Sequence, residues 1–178
     1  MKPGDHPEFY RWPAPEGRSR ESSIVLDKQG RFLHDGERVE HAGLAAGFHR
    51  WISRHPDDGR YILDNGYDWT YFTVEDTPYF VTSLRIDGDA ATLTLSDGSE
   101  EALDPRTLAL DAGGVLRVAV KDGSFSARFS RAAQLAIAPL LVEHDGDVGL
   151  ELNGVRHSIA AVAIETAPIT AGPIETQG

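Results

Sequence analysis

Apolar residues recur at every second position through much of this chain, in short runs closed by glycine turns. Leu84 and Ile86, Leu93 and Leu95, Leu116, Val118 and Val120, and Val148, Leu150 and Leu152 each line one face of a segment. That is the period-2 pattern of half-buried strands. The intervening turns are Gln29-Gly30, Asp35-Gly36, Asn65-Gly66, Asp87-Gly88, Asp97-Gly98, Asp122-Gly123 and Asn153-Gly154. Such pairs accept the positive φ of tight hairpins, so a mostly antiparallel sheet is expected. Two segments break the alternation. Leu44, Ala45, Phe48, Trp51 and Ile52 fall at helical spacing and predict a helix over about Ala42–Arg54, with Phe48 and Trp51 against the sheet. Ser130 is a good N-cap for a second helix, Arg131 to about Val142, which Pro139 should kink or end early. The expected fold class is α+β.

The surroundings of the two helices repeat. Around the first, the order is strand, Gln29-Gly30, strand, helix, Asp58-Gly59, strand, Asn65-Gly66, strand. Around the second it is strand, Asp122-Gly123, strand, helix, Asp145-Gly146, strand, Asn153-Gly154, strand. Five elements in one order point to duplication, two hairpin–helix–hairpin halves joined by a meander from Tyr67 to about Leu110. The expected organisation is an arm over 1–20, an N-terminal half over 21–87, a C-terminal half over 88–164 and a flexible tail over 165–178. The arm is dense in proline (Pro3, Pro7, Pro13, Pro15) and should be extended rather than helical. Its aromatics, Phe9, Tyr10 and Trp12, offer a means of docking, yet every paired element recognised here begins after it. Loss of residues 1–15 is therefore expected to leave the fold intact.

Charge narrows the partners. The net charge is −11, and both halves share it: 1–87 carries 11 basic and 15 acidic residues, 88–178 carries 6 and 13. Repulsion from phosphate disfavours double-stranded nucleic acid, while a small anionic ligand held by a few local arginines stays compatible. The absence of cysteine removes disulfides, thiol nucleophiles and thiolate metal sites. No segment is apolar for long enough to span a bilayer and the start does not resemble a signal peptide, so a cytoplasmic location and no membrane partner are expected.

Candidate chemistry is sparse. Gly-x-Ser-x-Gly, Ser-x-x-Lys, His-Glu-x-x-His and both glycine-rich nucleotide loops are missing. His34, His41 and His49 lack zinc-ligand spacing and read as separate histidines, so neither a metal nor a cofactor is expected. Glu75 and Asp76 are adjacent and would face opposite sides of a strand, so they cannot act as a carboxylate pair. Asp76-Thr77-Pro78 reads as a turn in which Asp76 accepts backbone N–H groups. The denser signal is aromatic. Along Tyr67–Val74, Tyr67, Trp69, Tyr71 and Thr73 take one face, and Thr70, Phe72 and Val74 the other. A strand apolar on both faces should pack its own helix on one side and meet the second half, or line a groove, on the other. Arg128 and Arg131, at the start of the second helix, would then supply the anion-binding donors.

Phe32-Leu33-His34-Asp35-Gly36, the helix that follows, and Val74-Glu75-Asp76-Thr77-Pro78-Tyr79-Phe80 resemble the bacterial family called domain of unknown function 1285. The resemblance spans about Ile24 to Val162. It implies a duplicated two-domain fold whose C-terminal half is loosely like pleckstrin-homology folds, a ligand site between the halves and a role in signal transduction. It carries no assigned catalytic residues. Family members tend to place Arg-Pro and aromatics at the second helix, where this chain has Ser130-Arg131-Ala132-Ala133-Gln134. The expected function is a ligand-binding or regulatory protein, with Trp69, Tyr71, Arg128, Arg131, Glu75, Asp76 and His34 as candidate site residues. The alternatives are an enzyme using Glu75, Asp76 or His34 at the same interface, or an adaptor with a protein partner and no small ligand.

Overall fold

The computed structural model describes residues 1–162. The tail expected over 165–178, with its Ile164-Glu165-Thr166 and Ile174-Glu175-Thr176 echo, lies outside the described residues. Two 3-10 turns, Pro3–Asp5 and Phe9–Arg11, precede the first strand. A first unit follows: β1 (Glu21–Leu26), β2 (Phe32–His34), β3 (Glu37–Arg38), α1 (Ala42–Trp51), β4 (Ile52–Arg54), β5 (Tyr61–Asp64) and β6 (Trp69–Val74). Three strands connect the units: β7 (Tyr79–Asp87), β8 (Ala90–Leu95) and β9 (Glu100–Ala102). The second unit is β10 (Ala109–Asp111), β11 (Leu116–Val120), β12 (Phe125–Phe129), α2 (Arg131–Ile137), β13 (Leu141–His144), β14 (Asp147–Leu152), β15 (Val155–Ser158) and β16 (Ala160–Val162).

Strand order in the first sheet is β3-β2-β1-β6-β5-β4. The second runs β16-β10-β11-β12-β7-β8-β9, and a third holds β13-β14-β15. β15 and β16 are one strand interrupted at Ile159, whose N–H still donates to Val148 O at 3.0 Å. Followed through that strand, the second unit reads β12-β11-β10-β16/β15-β14-β13, the path of the first unit. In both, the closing strand lies parallel to the opening one, β6 on β1 and β16 on β10, while the hairpins are antiparallel.

The duplication is therefore present in a different register from the one the turn dipeptides suggested. Gln29-Gly30 corresponds to Gly113-Gly114, and Asp35-Gly36 corresponds to Asp122-Gly123. The turns themselves fix this alignment. Asp27 is buried and its Oδ1 accepts the N–H groups of Gln29 and Arg31, both at 2.9 Å. Asp111 is buried and its Oδ1 accepts those of Gly113 and Val115, at 2.9 and 3.0 Å. In each turn the glycine three residues after the aspartate has positive φ, +81° at Gly30 and +76° at Gly114, a conformation that suits residues without Cβ. The sheets part at Glu75–Pro78 rather than at Asp87, since β7 and β8 form one hairpin of the second sheet and β7 lies parallel to β12.

Both helices are shorter than their stripes suggested. α1 stops at Trp51 because Ile52–Arg54 instead pairs with Tyr61–Leu63 as β4; cross-strand packing of a β-branched residue overrides helical periodicity. α2 ends at Ile137, and Pro139 sits in the 3-10 turn Ala138–Leu140 that follows. Phe48 and Trp51 pack on the sheet as expected, whereas Leu44 is exposed. One core joins Leu26, Phe32 and Phe72 of the first unit to Tyr79, Phe80, Leu116, Val118 and Phe129 of the second sheet.

Candidate functional site

The two faces of β6 part as the alternation required. Phe72 faces the main core beneath α1, and Trp69 faces the other way, 5% exposed. The second face does not meet the C-terminal half. It is covered by the N-terminal arm, where Phe9, 2% exposed, packs with Ile62 and Trp69, flanked by Tyr10 and Tyr71. Polar contacts fasten it: Trp69 Nε1 donates to Phe9 O at 3.4 Å, Tyr10 Oη to Asp64 at 2.6 Å and Gly4 N to Gly66 O at 2.9 Å. The Arg20 guanidinium lies 4.4 Å over the Trp69 ring and donates to Trp69 O, a cation–π contact on a desolvated face. Burial and the Asp64 carboxylate push the Tyr10 phenol up to about 12. Tyr71 donates to Asp58 at 2.8 Å, with Arg60 stacked 3.7 Å from its ring centre. Trp69 and Tyr71 are thus part of the arm's anchorage, and the arm is a packed element with two 3-10 turns rather than an extended one.

Asp76 is not the backbone-capping turn residue that its sequence suggested. Its carboxylate accepts from Arg117 Nη1 and Nη2 at 2.7 and 3.1 Å, and from Arg128 Nη1 at 2.9 Å. Arg117 Nε also donates to Asp111 at 3.0 Å. The short link between the sheets is thereby tied to β10, β11 and β12 by one partly buried ionic chain. Burial pushes Asp76 upward, but the two guanidiniums outweigh it and hold the group below the ordinary carboxylate value. Asp111 behaves likewise, with burial opposed by the Val115 N–H, Arg117 and the Gly113 N–H. Glu75 is exposed and accepts from Lys28 N at 3.2 Å. His34 stands on the exposed β2–β3 hairpin, 3.7 Å from Asp35. His41 caps α1, its Nδ1 accepting from Leu44 N at 3.1 Å. Among the described residues no three His, Cys, Asp or Glu side chains are grouped to hold a metal ion.

Between the units lies a cleft of about 420 Å³. The β1–β2 turn gives it Lys28 and Gly30, α1 gives His49, β7 gives Thr82, and β12 with the start of α2 gives Arg128 and Arg131. Gly30 is favoured here for a second reason: a Cβ would stand 3.2 Å from the Phe80 ring, which backs the cleft, and would press on it. Ser96 and Ser130 add hydroxyls, and no carboxylate lines the cleft. Arg128 spends one nitrogen on Asp76. Arg131 is exposed and, among the described residues, makes no ion pair. Burial lowers the His49 pKa, partly offset by Asp97, and its Nδ1 is buried without a hydrogen-bond partner among the described residues. A larger groove of about 580 Å³ beside β9 and β11 is lined by Glu101, Asp104 and Asp122, and its Lys121 is tied to Asp97 at 2.6 Å. Only the first of the two suits an anion.

Of the residues singled out in sequence, Arg128 and Arg131 meet in this cleft. Asp76 stands behind Arg128; Trp69 and Tyr71 belong to the arm's face, and His34 is apart from the cleft lining. Lys28, His49, Thr82 and Ser96 were missed, because the contact between β1–β2 and β7–β8 that gathers them has no local signature.

No protein-family model and no curated protein matches the chain. Solved structures do. A crystal structure of a DUF1285 family protein from Silicibacter pomeroyi DSS-3 superposes with a TM-score of 0.64 at 17% identity, covering 86% of this chain and 93% of that one. A DUF1285 family protein from Shewanella baltica OS155 gives 0.53, also at 17% identity, over 68% of this chain and 94% of the other. The chain has the fold of these DUF1285 proteins, which supports the family resemblance seen in its sequence.

Proposed function

We propose that this protein binds a small anionic molecule in the cleft between its two units and acts as a ligand-responsive regulatory protein. The observation that carries the reading is the cleft's composition. Lys28, Arg128 and Arg131 converge on about 420 Å³ with no carboxylate in the lining, in a chain whose net charge is −11. Arg128 keeps Asp76 as its partner, but Lys28 and Arg131 make no ion pair among the described residues, and cations gathered so on an acidic protein repel one another unless an anion joins them. The volume falls in the range of small-molecule sites, and a ligand spanning the cleft would couple the two units. The enzyme alternative draws less support: His34 and Glu75 do not line the cleft, and Asp76 is committed to two arginines.

The test is a thermal-shift and calorimetric screen of inorganic phosphate, sugar phosphates, nucleotides and carboxylates on the wild type, Arg131→Ala and Lys28→Ala. A ligand at a hundred times its Kd should add about 2.7 kcal/mol of stability. Loss of one charge-assisted bond, about 1.5–3 kcal/mol, should weaken binding roughly tenfold or more. Equal responses in all three proteins would place binding elsewhere, and no response to any anion would end the proposal.

A further inference from the structure

The arginines of the cleft border more than one cavity. A second cavity, of about 430 Å³, adjoins it along Arg128, Phe129 and Arg131, which line both. Its remaining walls are Val115, Leu135, Ala138, Leu141 and Gln134. Gln134 is already occupied: its amide nitrogen donates to Gly114 O at 2.6 Å and its oxygen accepts from Leu116 N at 3.3 Å. Past the arginines, then, the lining offers a ligand little except hydrocarbon. Leu135 is 65% exposed there, while α2 buries Ala133 and Ile137 against the sheet. A leucine held at the lip of an apolar cavity, with a cluster of cations at one end only, is a polarised site.

We infer, resting on the anion-binding reading above, that the ligand is an anionic amphiphile. Its head group sits in the cleft with Lys28 and Arg131, and its unbranched aliphatic chain lies in the apolar cavity under Leu135. Three features select this class. The cations lie in the cleft and along the lining that the two cavities share, so the second charge of a ligand charged at both ends would rest against Val115, Leu135 and Leu141 with no partner. β12, which contributes Phe129, is hydrogen-bonded on both sides, to β11 and β7; a peptide backbone laid along it would find no free ladder, whereas methylenes need none. The body's net charge of −11 opposes approach to an anionic membrane surface and favours a single dissolved molecule.

The experiment is isothermal titration of the full chain with butanoate, octanoate and dodecanoate below their micellar concentrations. Inorganic phosphate, decanol, and vesicles of phosphatidylcholine with phosphatidylglycerol serve as comparisons. Affinity should rise roughly fourfold per added methylene until the cavity is filled, following the free energy of burying a CH₂ group. Leu135→Asn, a change at an exposed position that adds no charge one turn from Arg131, should abolish the dependence on chain length, with phosphate binding measured on the same protein. Arg131→Ala should weaken both roughly tenfold or more. A flat chain-length series with phosphate still bound would overturn the amphiphile and leave the anion cleft standing. Silence toward phosphate and alkanoates alike would remove both. Decanol binding as tightly as the alkanoates would overturn the role given to the head group, and co-sedimentation with the vesicles would overturn the commitment to a dissolved ligand.

Discussion

Replacing Asp76 by Asn keeps the shape of the side chain and removes the charge that Arg117 and Arg128 face. Three charge-assisted bonds converge on this carboxylate. At about 1.5–3 kcal/mol each they would sum to several kcal/mol, which overstates the loss because contacts within one network are not additive. Removing one partner of a buried ion pair costs about 3–5 kcal/mol. Two features place this case at the lower end. Arg117 retains Asp111 at 3.0 Å, and Arg128, with 29% of its side chain exposed, can rehydrate. The expected loss at neutral pH is about 3 kcal/mol, measured as a shift of the urea midpoint at constant slope. The pH dependence follows from the depressed folded-state pKa of Asp76. Its stabilisation is fully present above the unfolded carboxylate value of about 3.9 and is lost as pH falls through the lower folded value. The gap between wild type and variant should therefore close in acid. A gap under about 1 kcal/mol at neutral pH, or one that persists unchanged in acid, would refute the assignment of Asp76 as the charged strut between the sheets.

Phe9→Ala should destabilise the protein by about 3–5 kcal/mol, the cost of an emptied aromatic site, and removal of residues 1–15 should lower the melting temperature at least as far; a truncated chain melting like the wild type would show the arm to be idle. Trp51→Ala, at a half-buried ring packed on Phe48, should cost about 3 kcal/mol by denaturant titration, and a change under about 1 kcal/mol would place the ring in solvent. His49, whose folded pKa is lowered by burial, favours the folded state fully above the unfolded value of about 6.5 and progressively less as pH falls below it. Wild type should thus lose more stability than His49→Phe between about pH 7 and pH 5; parallel curves would contradict a half-buried, neutral imidazole.

The elements of this chain were legible because their causes are local. Alternation at Leu93 and Leu95 or at Leu116, Val118 and Val120 needs only a pleated backbone with one wet face, and the glycines of the seven turn pairs all take positive φ. Pro139 ended α2 early through its missing N–H, again a local effect. The existence of a repeat was visible for the same reason, as an order of turns. Its register was not, because Gln29-Gly30 resembles Asp122-Gly123 as a dipeptide while corresponding in space to Gly113-Gly114. Pairing partners decide that correspondence, together with the buried Asp27 and Asp111 that receive the same two N–H groups in each turn; the repeated Asp-x-x-Gly was the signal available in sequence. The site was divided likewise. Arg128 and Arg131 stood out as isolated cations on an acidic chain. That Trp69 and Tyr71 lie beneath the N-terminal arm, that Asp76 is taken by Arg117 and Arg128, and that Lys28 and His49 share a cleft with Arg131 are consequences of which sheet faces meet. Both faces of β6 are apolar, so hydrophobic burial alone accepts either the arm or the second unit as a cover. Only the assembled topology, with β7 placed against β12, assigns each face its partner.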